Sequence, residues 1–115
     1  MANTLKLEVA QSGDVVIAKL IGEARLDVEG VQTQLDRIIV HHPKTVVLDL
    51  TQLTFLSSLG MGMMVALRRN VAKNGGVVKL AGMQPMVANS MAHAHLLEMF
   101  QIYPDMASAT AAPAA

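Results

Sequence analysis

Two neighbouring hydroxyls, Ser57 and Ser58, are the groups in this chain best placed to do chemistry. Ahead of them lies Val46-Val47-Leu48-Asp49-Leu50, a largely branched apolar run of the kind that fills a buried strand. A short threonine-containing connection follows. Beyond the serines, Leu59 to Leu67 is almost unbroken apolar sequence ending at Arg68 and Arg69, which predicts a helix apolar nearly all round and therefore buried. The serines thus fall where that helix begins. The first amides of a helix have no intrahelical acceptor, and the aligned peptide dipoles make that end partly positive. A serine there can cap the amides, and a phosphate carried there is electrostatically welcome. The expected chemistry is phosphate acceptance by a hydroxyl at a helix mouth, and the plainer reading, a cap and nothing more, stays open beside it.

Other candidates are weaker. A serine hydrolase would want a nucleophile elbow, G-x-S-x-G, and neither serine has glycine two residues before it. His93 and His95 lie two apart on an expected helix and point to different sides, so they make a poor metal pair; His41 and His42 sit at a helix end, where the dipole favours a cation. All four read as solvated or capping, and neither a metal nor a cofactor is expected. Gly60-x-Gly62 is too short for a dinucleotide loop and is better explained by close helix packing. Arg68, Arg69 and Lys73 form a small basic cluster that complements a helix C-terminus.

Composition sets the frame for these residues. The chain has 115 residues, enough for one domain and one core. Aromatic residues make up only 3% against 52% hydrophobic, so aliphatic side chains and nine methionines must fill the interior. Methionine also serves adaptable binding surfaces, so any exposed beside Ser58 would extend a docking patch. Formal charge is zero, with no basic surplus to point to nucleic acid or an anionic membrane. There is no cysteine, the N-terminus lacks a secretory pattern, and no apolar run approaches the roughly 20 residues of a membrane span. A cytoplasmic domain with no direct membrane insertion is expected, and the apolar composition leaves a homodimer open.

The elements that must hold the serines in place follow from periodicity. Leu5, Leu7 and Val9 alternate with Lys6, Glu8 and Ala10 as in a half-buried strand, and Gln11-Ser12-Gly13-Asp14 turns into a second strand from Val15 to Ile21. Gly22 to Leu26 reads as a connection and Asp27 as an N-cap. Val28, Val31, Leu35, Ile38 and Ile39 then fall at helical spacing up to His41-His42-Pro43. Lys44 to Leu50 is the third strand, and Asn74-Gly75-Gly76 closes the central helix. Val77 to Leu80 is the fourth strand. Pro85 opens a helix reaching about His95, and Phe100 to Tyr103 is a short edge or loop. Strands separated by helices require crossovers between parallel strands. The expected class is α/β: an N-terminal hairpin, then a mostly parallel sheet of four to five strands packed by helices, in one domain over residues 1–108 with an Ala-rich fraying tail at 109–115.

Leu48-Asp49-Leu50 followed by Leu53-Thr54-Phe55-Leu56-Ser57-Ser58-Leu59-Gly60-Met61-Gly62 resembles the signature of STAS domains, the anti-sigma factor antagonist family. Gly22-Glu23-Ala24-Arg25-Leu26-Asp27, Asn74-Gly75-Gly76, Pro85 with Val87, and the Leu96 to Tyr103 ending fall at similar spacing, so the resemblance spans roughly Leu5 to Ser108. It implies a STAS-like fold and a regulatory binding module rather than an enzyme. The implied partners are an anti-sigma factor that is often a serine kinase, and a phosphatase that resets the cycle. The implied phosphoacceptor is Ser58, with Ser57 as the alternative, and the implied partner surface comprises Asp27, Leu56, Ser57, Leu59, Gly60 and Met61.

Two departures from the family pattern bear on this. Ser57 stands where the family commonly has aspartate, and Leu59 stands where it commonly has a second hydroxyl. His95 also occupies a position often held by glycine. The departures leave a second function open: a phosphorylation-silent STAS module acting as a structural or accessory subunit of a larger complex, for example one serving lipid transport.

Overall fold

The alternation at the start of the chain does form a strand, and Gly13, at φ +61°, folds it back on the next. In the computed structural model, which describes residues 5–111, β1 (Leu5–Ser12) pairs antiparallel with β2 (Val15–Ala24). Three parallel pairings follow, to β3 (Thr45–Leu56), β4 (Val77–Ala81) and the edge strand β5 (Gln101–Tyr103), giving the order β1-β2-β3-β4-β5. The α/β class, the hairpin and the mostly parallel sheet are as the sequence indicates.

Helices α1 (Glu29–Ile39), α2 (Ser58–Lys73) and α3 (Pro85–His93) supply Val31, Leu35, Met63, Met64, Leu67, Val71, Val87 and Met91 to one core cluster with Leu20, Leu48, Leu50 and Leu80 of the sheet. Pro85 occupies the first turn of α3, where its missing N–H costs nothing. A smaller cluster joins Val47 and Ala81 to Ala109 of the short α4 (Met106–Ala111).

Several expectations need correction. The helix expected from Asp27 begins at Glu29, with Val28 at its N-cap position: the Val28 carbonyl accepts the Gln32 N–H at 2.9 Å while its side chain is buried. The threonine-containing stretch after Leu50 is not a loop, because β3 continues to Leu56 and carries Leu53 and Leu56 into the core. It stays paired to β2 through two register shifts, at Lys19/Ile21 and Gly22/Glu23. The expected tail boundary at 109 falls inside α4 (Met106–Ala111). Ala109 is buried in α4, whose first turn is held by Asp105 accepting the Ser108 N–H at 2.8 Å, a bond that lowers the Asp105 carboxyl below its ordinary range. Residues 112–115 of that expected tail lie outside the described residues.

The α2 helix ends in a Schellman motif, with Gly75 at φ +80° and the Gly76 N–H donating to the Val71 carbonyl at 3.0 Å. The same motif closes α3 around a histidine: His95 has φ +58°, and the Leu96 N–H donates to the Met91 carbonyl at 2.9 Å. A side chain held in the left-handed region is strained where glycine is not. His95→Gly is therefore expected to stabilise the domain by about 1 kcal/mol in urea unfolding.

Candidate functional site

Ser57 and Ser58 sit where β3 hands over to α2, and the two hydroxyls have different employment. Ser57 is extended, at φ −81° and ψ 170°, and is the N-cap. Its Oγ accepts the Gly60 N–H at 3.1 Å and donates to the Arg25 carbonyl at 2.6 Å, while its own N–H donates to the Ala24 carbonyl at 2.8 Å. One residue thus ties the end of β2 to the mouth of the helix. Ser58 is the first helical residue, exposed, and its hydroxyl takes no hydrogen bond among the described residues.

Glycine at 60 is a packing requirement. A Cβ there would stand 2.8 Å from Leu56 Cδ1 and 2.9 Å from the Ala24 Cβ, so the helix entrance presses directly on the two strand ends. Gly62 is different, with open space around it, so close packing explains only the first of the two glycines. Leu56 is only 2% exposed and Gly60 is buried. Both were expected on the partner surface, and the structure corrects this: they position the surface from beneath.

What does reach solvent is largely apolar. Leu59 is 52% exposed, and the helix is buried along one face rather than all round. Asp27 is exposed, Ser57 and Met61 are half-buried, and Met61 shares a shallow groove of about 570 Å³ with Met86, Asn89, Ser90 and His93 along α3. Leu26, next to the carbonyl that Ser57 binds, is 82% exposed. In the sequence Arg25 and Leu26 read as part of a connection; a leucine set between Arg25 and Asp27 is the signal that marks this position.

Arg25 borders this surface. Its guanidinium lies 4.5 Å from the Phe55 ring centroid and donates to both carboxylate oxygens of Glu23 at 3.1 and 3.0 Å. These bonds hold the Glu23 carboxyl below its ordinary range and push Arg25 above its own. The first turn of α2 carries no acidic residue, so its positive end is not offset by a side-chain charge from within the turn. Among the described residues no group of three His, Asp or Glu is placed to hold a metal ion, and no helix is long and apolar enough to cross a membrane.

The capping role gives a direct test. Ser57→Ala is expected to lower stability by about 1–2 kcal/mol, because the Gly60 amide loses its acceptor and the strand tie is cut. Ser57→Asp should fall between the two, since a carboxylate can cap the amide but cannot donate to the Arg25 carbonyl. Chemical denaturation of the three proteins separates these outcomes.

Comparison with solved structures places the fold. An anti-sigma factor antagonist from Mycobacterium paratuberculosis superposes with a TM-score of 0.81 at 20% identity, covering 93% of this chain and 92% of that one. The Bacillus cell fate determinant SpoIIAA, in its phosphorylated form, gives 0.72 at 19% identity over 93% and 96% of the two chains. A sulfate transporter family protein from Wolinella succinogenes gives 0.74 at 16% over 89% and 86%. At these identities the likeness is one of fold. The sequence itself matches the STAS domain family from residue 6 to residue 109, a span that includes the sheet, the first three helices and the serine-bearing helix entrance, and the chain therefore belongs to that family.

Proposed function

We propose that this domain is a cytoplasmic regulatory binding module of the anti-sigma factor antagonist type, without catalysis of its own. It docks an anti-sigma factor with serine-kinase activity over Ser58, Leu59, Asp27 and Met61, is released when Ser58 is phosphorylated, and is reset by a phosphatase. The observation that carries this reading is the difference between the two serines: Ser57 is committed to capping and to the Arg25 carbonyl, whereas Ser58 is exposed with its hydroxyl unengaged among the described residues. A phosphate on Ser58 would lie at the positive end of α2, whose first turn has no acidic residue, and that favours it. The Bacillus relative, described in a phosphorylated form, is consistent with such a use of the fold. The domain so read spans residues 1–108, with α4 carrying it on to Ala111.

The test is to incubate the protein with its cognate kinase and ATP and to map phosphate by mass spectrometry. Phosphate is expected on Ser58 and should survive Ser57→Ala. No phosphate on either serine, with the partner still bound, would instead support the second reading, a phosphorylation-silent accessory subunit such as one of a transport complex. The exposed Leu59 favours that alternative, because an apolar side chain in place of a hydroxyl suits permanent docking better than a switch. Likeness to a transporter-family STAS fold is in keeping with it.

A further inference from the structure

At the opposite edge of the sheet from β5, β1 presents eight residues with no sixth strand beside them among the described residues. Alternate backbone N–H and C=O groups of such a strand point away from its one neighbour and are free to pair. Edge strands are ordinarily blunted by charged side chains, by proline, by bulges or by being very short, and the charges on β1, Lys6 and Glu8, are of opposite sign. β1 has no proline, and its register with β2 runs without a break from Leu5↔Gly22 to Ser12↔Val15.

We propose that this edge pairs with the same edge of a second copy of the chain, antiparallel and centred on Leu7. A two-fold pairing of identical antiparallel strands places one residue opposite itself, so the possible registers can be compared directly. Centring on Lys6 sets Lys6 against Lys6 of the second copy, and centring on Glu8 sets two glutamates face to face. Only the register centred on Leu7, among these, puts Lys6 opposite Glu8 on both sides of the axis, and it places Leu5 opposite the half-exposed Val9. Glu8 already faces Lys19 across the β1–β2 ladder, so each glutamate would lie between two lysines on one face of the joined sheets. On the other face, a groove of about 740 Å³ runs between β1 and α1; Leu5, Leu7, Val31 and Arg37 line it together with Leu26 and Asp27. It offers room for the apolar side chains of the incoming strand. The occupant is a second copy because the complementarity is with β1's own sequence.

Sedimentation of the full chain over a concentration series tests this. The wild type is expected to move from monomer mass toward twice that value. Glu8→Lys or Lys6→Glu should weaken the dimer about tenfold, since each turns two attractive facing pairs into repulsive ones. The double exchange Lys6→Glu/Glu8→Lys, made together with Lys19→Glu so that position 8 keeps an opposite charge across the β1–β2 ladder, should restore it. Because the chain contains no cysteine, Leu7→Cys supplies an independent readout: it should cross-link to itself on mild oxidation, whereas Val9→Cys, displaced from the axis, should not. A wild type that stays monomeric throughout, single exchanges without effect, a double exchange that fails to restore, or equal cross-linking at positions 7 and 9 would each overturn the pairing. None of these outcomes bears on Ser58, which lies at the strand-end face rather than the sheet edge.

Discussion

Phosphorylating Ser58, or replacing it by aspartate, is expected to weaken partner binding about a hundredfold while leaving thermal stability unchanged or slightly raised. The two effects separate because they act on different neighbours. Within the domain the added charge meets the amides at the start of α2, whose first turn contains no acidic residue, and an anion in the first turn is worth roughly 0.3–1 kcal/mol of stabilisation. At the interface the same charge stands next to Leu59, which is half exposed and apolar. A partner packed there would have to strip water from a phosphate carrying about −1.5 to −2 charges. A penalty of only ~3 kcal/mol accounts for the hundredfold loss, since each 1.4 kcal/mol is tenfold. The second phosphate ionisation lies near pH 6, so the release should deepen as pH rises through about 6. Ser58→Ala should bind the partner normally and ignore the kinase. Titration calorimetry of the four forms, alongside their melting curves, decides the matter. Unchanged affinity in the phosphorylated form, or a domain that unfolds on modification, would remove the switch.

Much of this was readable from the chain alone, and the failures have physical causes. The hairpin, the parallel strands and the caps of α2 and α3 are local signals: alternation, turn residues, a serine before an apolar run, glycine or histidine able to take positive φ. The end of β3 was not legible because its pairing with β2 slips at Lys19/Ile21 and Gly22/Glu23. A bulged ladder breaks the period of two, so Leu53 and Leu56 looked like loop residues although both are buried. Lys79 is a second case. Its ammonium donates to the Ala109 carbonyl at 3.0 Å and lies 5.0 Å from the Tyr103 ring centroid, so a lysine only 1% exposed is accommodated under α4. Nothing within Val77 to Leu80 announces a helix 30 residues further on. The site divides along the same line. Position in the helix marked Ser57 and Ser58, while burial, a tertiary property, removed Leu56 and Gly60 from the surface and added Leu26 and Met86 to it.

Gly60 and Gly62 stand two residues apart in one helix, and alanine should stabilise the domain at Gly62 but not at Gly60. Taken alone, replacing a helix-interior glycine by alanine is worth about 1 kcal/mol of stabilisation. At Gly62 nothing opposes that gain, because a new Cβ meets no atom within 4 Å. At Gly60 the Cβ would approach the Ala24 Cβ to 2.9 Å and Leu56 Cδ1 to 2.8 Å. Leucine can turn its methyl aside, but alanine's Cβ moves only with the backbone of β2. Overpacking of this kind costs roughly 1–3 kcal/mol, enough to cancel the helical gain, and Gly60→Val, larger and β-branched, is expected to lose about 3 kcal/mol outright. Relief requires α2 to draw back from β2, which lengthens the 2.8 Å bond from the Ser57 N–H to the Ala24 carbonyl and the 2.6 Å bond from its hydroxyl to Arg25. Gly60 variants should accordingly be poorer kinase substrates as well as less stable, whereas Gly62→Ala should be phosphorylated as the wild type is. Urea midpoints for the three variants and the wild type provide the measurement. If Gly60→Val were as stable as Gly62→Ala, the close approach of helix to strand would not be what holds Ser58 in place.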